Sequence, residues 1–148
     1  MNNSEIVDIL LVEDNPSDAE MTIRTLRKQK IFNSIVVIED GAAALDFIFG
    51  RGAYTGRDVS QTPRVILLDL KLPKLNGLEV LRAIKSNELT RLVPVVIVTS
   101  SHEDPDIKAA YELGVNSYVV KPVSSDAFIY TMSNLGLYWL LVNQKPGK

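Results

Sequence analysis

The sequence predicts an α/β protein in which a doubly wound, five-stranded parallel sheet carries helices on both faces. The first observation is a continuous apolar run, Val65–Leu68, that leads directly into Asp69. Apolar runs without alternation are typical of parallel strands that are buried on both faces. The second observation is that five strand-and-helix units follow one another along the chain. Right-handed crossovers between parallel strands then place helices on both sides of the sheet.

Composition and charge narrow the class of protein. The chain has 148 residues, 46% of them apolar, a net charge of −2 and no cysteine. This excludes a disulfide framework, thiol catalysis and a general attraction to nucleic acid or anionic membranes. The amino terminus lacks the features of a signal peptide, and no apolar run approaches the length of about 20 residues that spans a bilayer. We therefore expect a cytoplasmic, single-domain chain over 1–148, with a core of about 6–142, a short tail at 143–148 and no output domain.

The first half of the chain contains two strand-and-helix units. Strands are predicted within Ile6–Val12 and at Ile35–Ile38. Asn15 caps the first helix with Pro16 at its first position, and Asp40-Gly41 opens the second helix. The side chains expected to face the core are Ala19, Ile23 and Leu26 in the first helix and Leu45, Ile48 and Phe49 in the second. Residues 50–63 have no convincing periodicity and predict a long surface loop.

The second half contains three more units. The Asp69 strand is followed by a helix that begins at Asn76-Gly77, and Pro94–Val98 forms the fourth strand, which ends at Thr99. A helix from Asp104-Pro105 to Gly114 precedes the fifth strand, Ser117–Val120. Ser124 or Ser125 caps a last helix that extends to about Val142. The side chains expected to be buried in the Asn76 helix are Leu78, Leu81 and Ile84.

Polar residues that can bind ions or take part in a reaction follow four of the strands. They are Glu13, Asp14, Asp69, Thr99 and Lys121. Open α/β sheets bind ligands at the carboxyl ends of their strands, and clustered carboxylates raise one another's pKa unless a cation lies among them. Oxygen ligands with room for water favour Mg²⁺. Asp14 and Asp69 would bind the ion directly, and Glu13 would bind it through water.

An aspartate beside Mg²⁺ can attack phosphorus and form an aspartyl phosphate. Lys121 would neutralise the charge of the transferring group, and Thr99 could donate a hydrogen bond to one of its oxygens. Each residue taken alone has a plainer interpretation. Asp69 could be a turn residue and Lys121 a surface lysine, while His102 is expected to be an exposed loop residue.

Four segments together resemble the receiver domains of two-component response regulators, from Ile9 to about Phe128. The segments are Leu11–Asn15, Leu67–Pro73 with Gly77 following, Val98–Ser100 and Tyr118–Pro122. The resemblance implies a flavodoxin-like (βα)5 fold with strand order 2-1-3-4-5, and phosphorylation by a sensor histidine kinase rather than enzymatic turnover.

The resemblance also implies a role for each residue of the site. Asp69 would be the phosphoacceptor, with Glu13, Asp14 and the backbone carbonyl of Lys71 completing the metal site. Thr99 and Tyr118 would be the switch pair, and Lys121 the phosphate-binding amine. The Lys121-Pro122 peptide bond would be cis.

In three finer features the chain resembles the regulators that partner bacterial phytochromes. These features are the long 50–63 loop, the Asn15-Pro16-Ser17-Asp18 sequence and the apolar last helix. The resemblance implies a phytochrome-type kinase as phosphodonor and a downstream phosphorelay or target protein as reader.

Three other functions compete with this interpretation. A flavin-binding electron carrier would share the sheet order, but Glu13-Asp14 would repel its phosphate. A Mg²⁺-dependent phosphatase with an aspartate nucleophile usually needs a second acid two residues later, where this chain has Lys71. A phosphorylation-independent interaction module does not need the acidic cluster.

The last helix carries apolar residues on two sides, which predicts a homodimer. Phe128, Met132, Leu135, Trp139 and Val142 form one stripe, which is expected to pack on the sheet. The other side carries Ile129, Tyr130, Leu137, Leu140 and Leu141. Large exposed apolar patches usually mark an interface, and a symmetric dimer is the commonest closed arrangement.

Overall fold

The computed structural model describes residues 7–123 and 126–135. These residues form one five-stranded parallel sheet with strand order β2-β1-β3-β4-β5. The strands are β1 (Ile9–Val12), β2 (Ile35–Ile38), β3 (Val65–Leu68), β4 (Val95–Thr99) and β5 (Ser117–Val120). The predicted parallel sheet and its strand order are therefore confirmed.

Five helices connect and cover these strands. They are α1 (Pro16–Lys28), α2 (Gly41–Phe49), α3 (Gly77–Ser86), α4 (Asp104–Glu112) and α5 (Asp126–Leu135). The predicted caps are present, because the side chain of Asn15 accepts a hydrogen bond from Asp18 N–H and that of Asp40 accepts one from Ala43 N–H. No helix within the described residues has the length and apolar character needed to cross a membrane.

Alternate residues of the strands face two separate cores. Leu10, Ile66 and Ile97 point to the side covered by α2, α3 and α4. Ile9, Val65 and Val96 point to the side covered by α1 and α5. Because both faces of the central strands β1, β3 and β4 are buried, these strands carry nearly uninterrupted apolar sequences.

The buried faces of α2 and α3 differ from the prediction. In α2 the fully buried side chains are Ala44, Phe47 and Ile48, whereas Leu45 and Phe49 are only half-buried. Gly41 explains this orientation, since a Cβ atom there would lie 1.9 Å from the carbonyl oxygen of Leu75. This close approach turns Leu45 and Phe49 toward a groove between α2 and α3.

The helix α3 shows a similar shift. Val80, Leu81 and Ile84 are fully buried, but Leu78 is half-buried. Asn76 and Glu79 form a reciprocal capping box, which fixes the first turn. The predicted burial of Leu78 was therefore wrong, and Val80 takes its place in the core.

Residues 50–63 are more ordered than a plain surface loop. They include a short 3-10 turn, Gly52–Tyr54. The guanidinium of Arg57 lies 4.1 Å from the centroid of the Phe47 ring and donates hydrogen bonds to the carbonyls of Phe47 and Gln61. This anchor ties the loop to the carboxyl-terminal half of α2, away from the carboxyl ends of the central strands.

The final helix is described only in part. Phe128 and Met132 are buried, as predicted, and Tyr130 is 72% exposed. The side chain of Leu135 and residues 136–148 lie outside the described part of the chain, as do the Ser124 and Ser125 caps. The second apolar side predicted at Leu137, Leu140 and Leu141 therefore stays a prediction.

Candidate functional site

The acidic site is built from the carboxyl ends of β1 and β3. Val12 pairs with Leu68 in the parallel register, so Glu13 and Asp69 leave the sheet side by side. The Asp69 N–H donates to the carbonyl of Val12 at 3.1 Å. Carboxylate oxygens of Glu13, Asp14 and Asp69 lie within 4.8 Å of one another. Glu13 and Asp69 are buried, whereas Asp14 is exposed to solvent.

A lysine from the end of β5 inserts its ammonium between these carboxylates. Lys121 Nζ lies 2.9 Å from Glu13 Oε1 and 3.0 Å from Asp69 Oδ2. A third carboxylate, from α1, contributes Asp18 Oδ2 at 2.7 Å. The backbone of Lys121 is fixed by its N–H, which donates to the carbonyl of Thr99 at 2.8 Å. The Lys121-Pro122 bond is cis, as predicted.

Burial and charge act in opposite directions on the ionisable groups here. Burial alone would lower the pKa of Lys121, but hydrogen bonds to Asp18, Glu13 and Asp69 raise it well above its ordinary value. Burial raises the pKa of Glu13, and the contact with Lys121 partly offsets that effect. The ammonium is therefore charged at neutral pH and compensates part of the negative charge of the cluster.

The loop after Asp69 is held by close backbone contacts. The Lys71 N–H donates to Asp69 Oδ1 at 3.3 Å, and the Gly77 N–H donates to the carbonyl of Leu70 at 2.7 Å. A Cβ atom on residue 77 would lie 2.2 Å from the carbonyl oxygen of Asp69. Only glycine lets α3 begin this close to the Asp69 backbone, so Gly77 sets the shape of the site.

A hydrogen-bonded chain leads away from the site toward α4. The hydroxyl oxygen of the fully buried Thr99 accepts a hydrogen bond from the Ser101 N–H at 3.4 Å. The Tyr118 hydroxyl donates to the carbonyl of Ser101 at 3.0 Å, and Ser101 Oγ donates to Asp106 Oδ2 at 2.5 Å. Burial raises the pKa of Tyr118. Thr99 and Tyr118 are thus connected through Ser101.

The structure brings together Glu13, Asp14, Asp69 and Lys121. It places Thr99 at the end of β4. Tyr118 lies on β5, and its hydroxyl contacts the carbonyl of Ser101. The functional roles of these residues, and of the Lys71 carbonyl, stay predictions. His102 is exposed, as predicted.

Sequence reasoning missed Asp18 as a member of this group. Asp18 was named only as part of the Asn15-Pro16-Ser17-Asp18 sequence and not as a residue of the acidic site. The available signal was geometric: a first-turn residue of a helix that starts at the acidic strand end must lie near that end.

Comparisons with known proteins extend this description. A family model described as "Response regulator receiver domain" matches residues 9–132. FilR2 of Methanothrix harundinacea, a probable methanogenesis regulatory protein, is 42% identical over 140 residues, which are 94% of this chain and 87% of FilR2. The response regulator Rcp1 of Synechocystis sp. PCC 6803 is 38% identical over 132 residues, which are 89% of this chain and 88% of Rcp1.

Two solved structures are also similar. The bacteriophytochrome response regulator AtBRR is 48% identical, with a TM-score of 0.77 over 95% of this chain and 99% of AtBRR. The Mn²⁺-bound form of Rcp1 has a TM-score of 0.79 at 35% identity, over 95% of this chain and 99% of Rcp1. Both resemblances inferred from the sequence, to receiver domains and to phytochrome-type regulators, are confirmed. The chain belongs to the response regulator receiver domain family.

Proposed function

We propose that this chain accepts a phosphoryl group from a sensor histidine kinase onto Asp69 and passes the signal on through a change in its surface. One observation carries the proposal. The Lys121 ammonium lies 3.0 Å from Asp69 Oδ2, within a cluster of carboxylates at the carboxyl end of the sheet. This arrangement supplies both a nucleophilic oxygen and a fixed positive charge beside it.

The cation that we propose for this site is Mg²⁺. Asp14 and Asp69 would bind it directly, Glu13 through water, and Lys71 through its backbone carbonyl. The donor atoms fit a hard divalent cation, because the clustered groups are carboxylate oxygens lying within 4.8 Å of one another. The bound cation would offset the negative charge that the phosphoryl group brings. The Mn²⁺-bound form of the related Rcp1 supports a divalent metal here.

The chain's own residues perform the transfer. A carboxylate oxygen of Asp69 forms the new bond to phosphorus as the bond between phosphorus and the donor breaks. Lys121 stabilises the negative oxygens of the transferred group, and the Thr99 hydroxyl donates to one of them. Because Lys121 Nζ already lies 3.0 Å from Asp69 Oδ2, a positive charge stands beside the accepting carboxylate before the transfer.

Thr99 and Tyr118 would couple phosphorylation to the surface. The Thr99 hydroxyl would turn to the phosphoryl group and give up its hydrogen bond with the Ser101 N–H. The contact of Tyr118 with the Ser101 carbonyl then rearranges, which shifts an existing equilibrium between two conformations.

The switch can be tested by NMR of the tyrosine ring. Thr99→Ala should leave phosphoryl labelling in place but reduce the change in Tyr118 signals upon phosphorylation. Tyr118 signals that are the same with and without the phosphoryl group would contradict the coupling.

The proposed phosphodonor is a bacterial phytochrome, and the reader is a downstream phosphorelay or target protein. The 48% identity to AtBRR, a bacteriophytochrome response regulator, supports this choice. We place this function in the cytoplasm. We also propose that residues 1–148 act as a single receiver domain.

Self-association through the last helix is part of this proposal. Tyr130 of α5 is 72% exposed, and its neighbour Ile129 is half-buried. The sequence continues this side with Leu137 and Leu141.

Sedimentation tests the proposed dimer directly. Leu137→Lys combined with Leu141→Lys should convert a dimer to a monomer, while Asp69 labelling is kept. A wild-type chain that is monomeric at high micromolar concentration would contradict the dimer.

A labelling experiment tests the proposed phosphorylation. Incubation with acetyl phosphate and Mg²⁺ should add the mass of one phosphoryl group to the intact chain. Removal of the cation with EDTA should prevent the gain. A chain that gains no mass with the cation present would contradict the proposed function.

A further inference from the structure

Asp18 lies outside the carboxylates that the proposed function uses. It is in the first turn of α1, and its Oδ2 lies 2.7 Å from Lys121 Nζ, a shorter distance than the other two carboxylate contacts of this ammonium. Its backbone already serves the helix, because the Asp18 N–H donates to Asn15 Oδ1 and its carbonyl accepts from Thr22. The side chain of Asn15, and not that of Asp18, caps the helix, and the Asp18 carboxylate contacts Lys121 instead.

Three carboxylates surround the lysine ammonium, which has three N–H donors and no acceptor. Asp18 and Asp69 accept hydrogen bonds from it, and Glu13 Oε1 lies 2.9 Å from its nitrogen. A phosphoryl oxygen on Asp69 therefore competes with these carboxylates for the ammonium.

Of the two contacts that do not involve the phosphoacceptor, the contact with Asp18 costs less to release than the contact with Glu13. Its side chain is 37% exposed, against 4% for Glu13 and 8% for Asp69. A released Asp18 carboxylate is hydrated by solvent, whereas a released Glu13 would stay buried without compensation. Asp18 also brings a negative charge near the position of the incoming phosphoryl group, which is itself negative.

We propose that Asp18 is a positioning residue that holds the Lys121 ammonium over the unphosphorylated site and competes with the phosphoryl group for it. This role rests on the proposed phosphorylation of Asp69. When the phosphoryl group arrives, Lys121 exchanges its hydrogen bond with Asp18 for one with a phosphoryl oxygen. Asp18 thereby sets the balance between the two states without contacting the reacting atoms.

The test compares Asp18→Asn with Glu20→Gln in binding of beryllofluoride, a phosphoryl mimic, at saturating Mg²⁺. Glu20 lies on the same helix and pairs with Arg24 on the exposed surface. Both variants remove one negative charge from α1, but only the first removes a charge that is in contact with Lys121. Asp18→Asn should bind the mimic roughly threefold to tenfold more tightly than the wild type. Glu20→Gln should bind it as the wild type does.

A second variant separates positioning from a structural effect. Asp18→Ser keeps a hydrogen-bonding first-turn residue without a charge, and it should reproduce the tighter binding. Thermal melting without the mimic gives each variant's stability, which a purely structural role would change without tightening binding. Equal or weaker binding by both Asp18 variants, beside a wild-type chain that binds normally, would overturn the role of Asp18 alone. No binding by the wild type would overturn the proposed phosphorylation together with it.

Discussion

Replacing Asp69 with asparagine should abolish phosphoryl labelling by acetyl phosphate. The amide has the size of the carboxylate but lacks its nucleophilic oxygen and negative charge. The fold should be kept, because the asparagine can still accept the hydrogen bond from the Lys71 N–H. Labelling is measured by the mass of the intact chain.

The matched control is Asp46→Asn. The side chain of Asp46 lies on α2 and forms a long ion pair with Arg51, at 3.8 Å, with both side chains well exposed. This control should be labelled as the wild type is. Full labelling of Asp69→Asn, with the control unchanged, would remove Asp69 from the role of phosphoacceptor.

Replacing Lys121 with methionine should have two large effects. Without a divalent cation, the buried carboxylates of Glu13 and Asp69 lose their ammonium partner. The free energy of unfolding should fall by about 3 kcal/mol, which is typical of breaking a buried ion pair by removing one partner. At saturating Mg²⁺ much of that stability should return, but labelling should be slower by about 100-fold, since a positioned donor to the phosphoryl oxygens is gone.

Lys108→Met serves as the control, because Lys108 is an exposed residue of α4. Urea denaturation with and without Mg²⁺ gives the stability, and the time course of the mass gain gives the rate. A Lys121 variant that matches the control in both measurements would show two things. The ammonium would not stabilise the fold by pairing with the buried carboxylates, and it would not speed the phosphorylation of Asp69.

The sheet could be predicted from the sequence because each strand carries its own signal. Val65–Leu68 and Val95–Thr99 are buried on both faces, so their apolar character is continuous. The caps at Asn15 and Asp40 are local as well, since a side chain and a nearby N–H suffice to form them. Features that depend on one segment of the chain could therefore be read directly.

The buried faces of α2 and α3 depend on contacts between distant segments. Gly41 packs against the backbone of Leu75, and in this arrangement Phe47 is buried while Phe49 packs half-buried against the same core. Helical spacing alone allows either stripe of α2 to face the sheet, because both carry large apolar side chains. Which side chains of α2 are buried depends on the close approach of Gly41 to Leu75, which the apolar periodicity of α2 does not predict.

The candidate site shows the same division. Glu13, Asp14, Asp69 and Lys121 could be grouped because parallel strands end at one edge of a sheet. Asp18 was missed because its contact depends on where the long side chain of Lys121 lies across the entry to α1. The order of parallel strands predicts where the backbone of each strand ends. The contact between Asp18 and Lys121 instead joins two side chains 103 positions apart, and their orientations do not follow from that order.

Mapping the phosphoryl group on the wild-type chain tests the central claim most directly. The chain is labelled with acetyl phosphate and Mg²⁺, digested under acidic conditions that preserve an acyl phosphate, and sequenced by tandem mass spectrometry. We predict a single modified peptide in which the added mass lies on Asp69. A modified residue elsewhere, or a labelled chain whose Asp69 peptide is unmodified, would contradict the account.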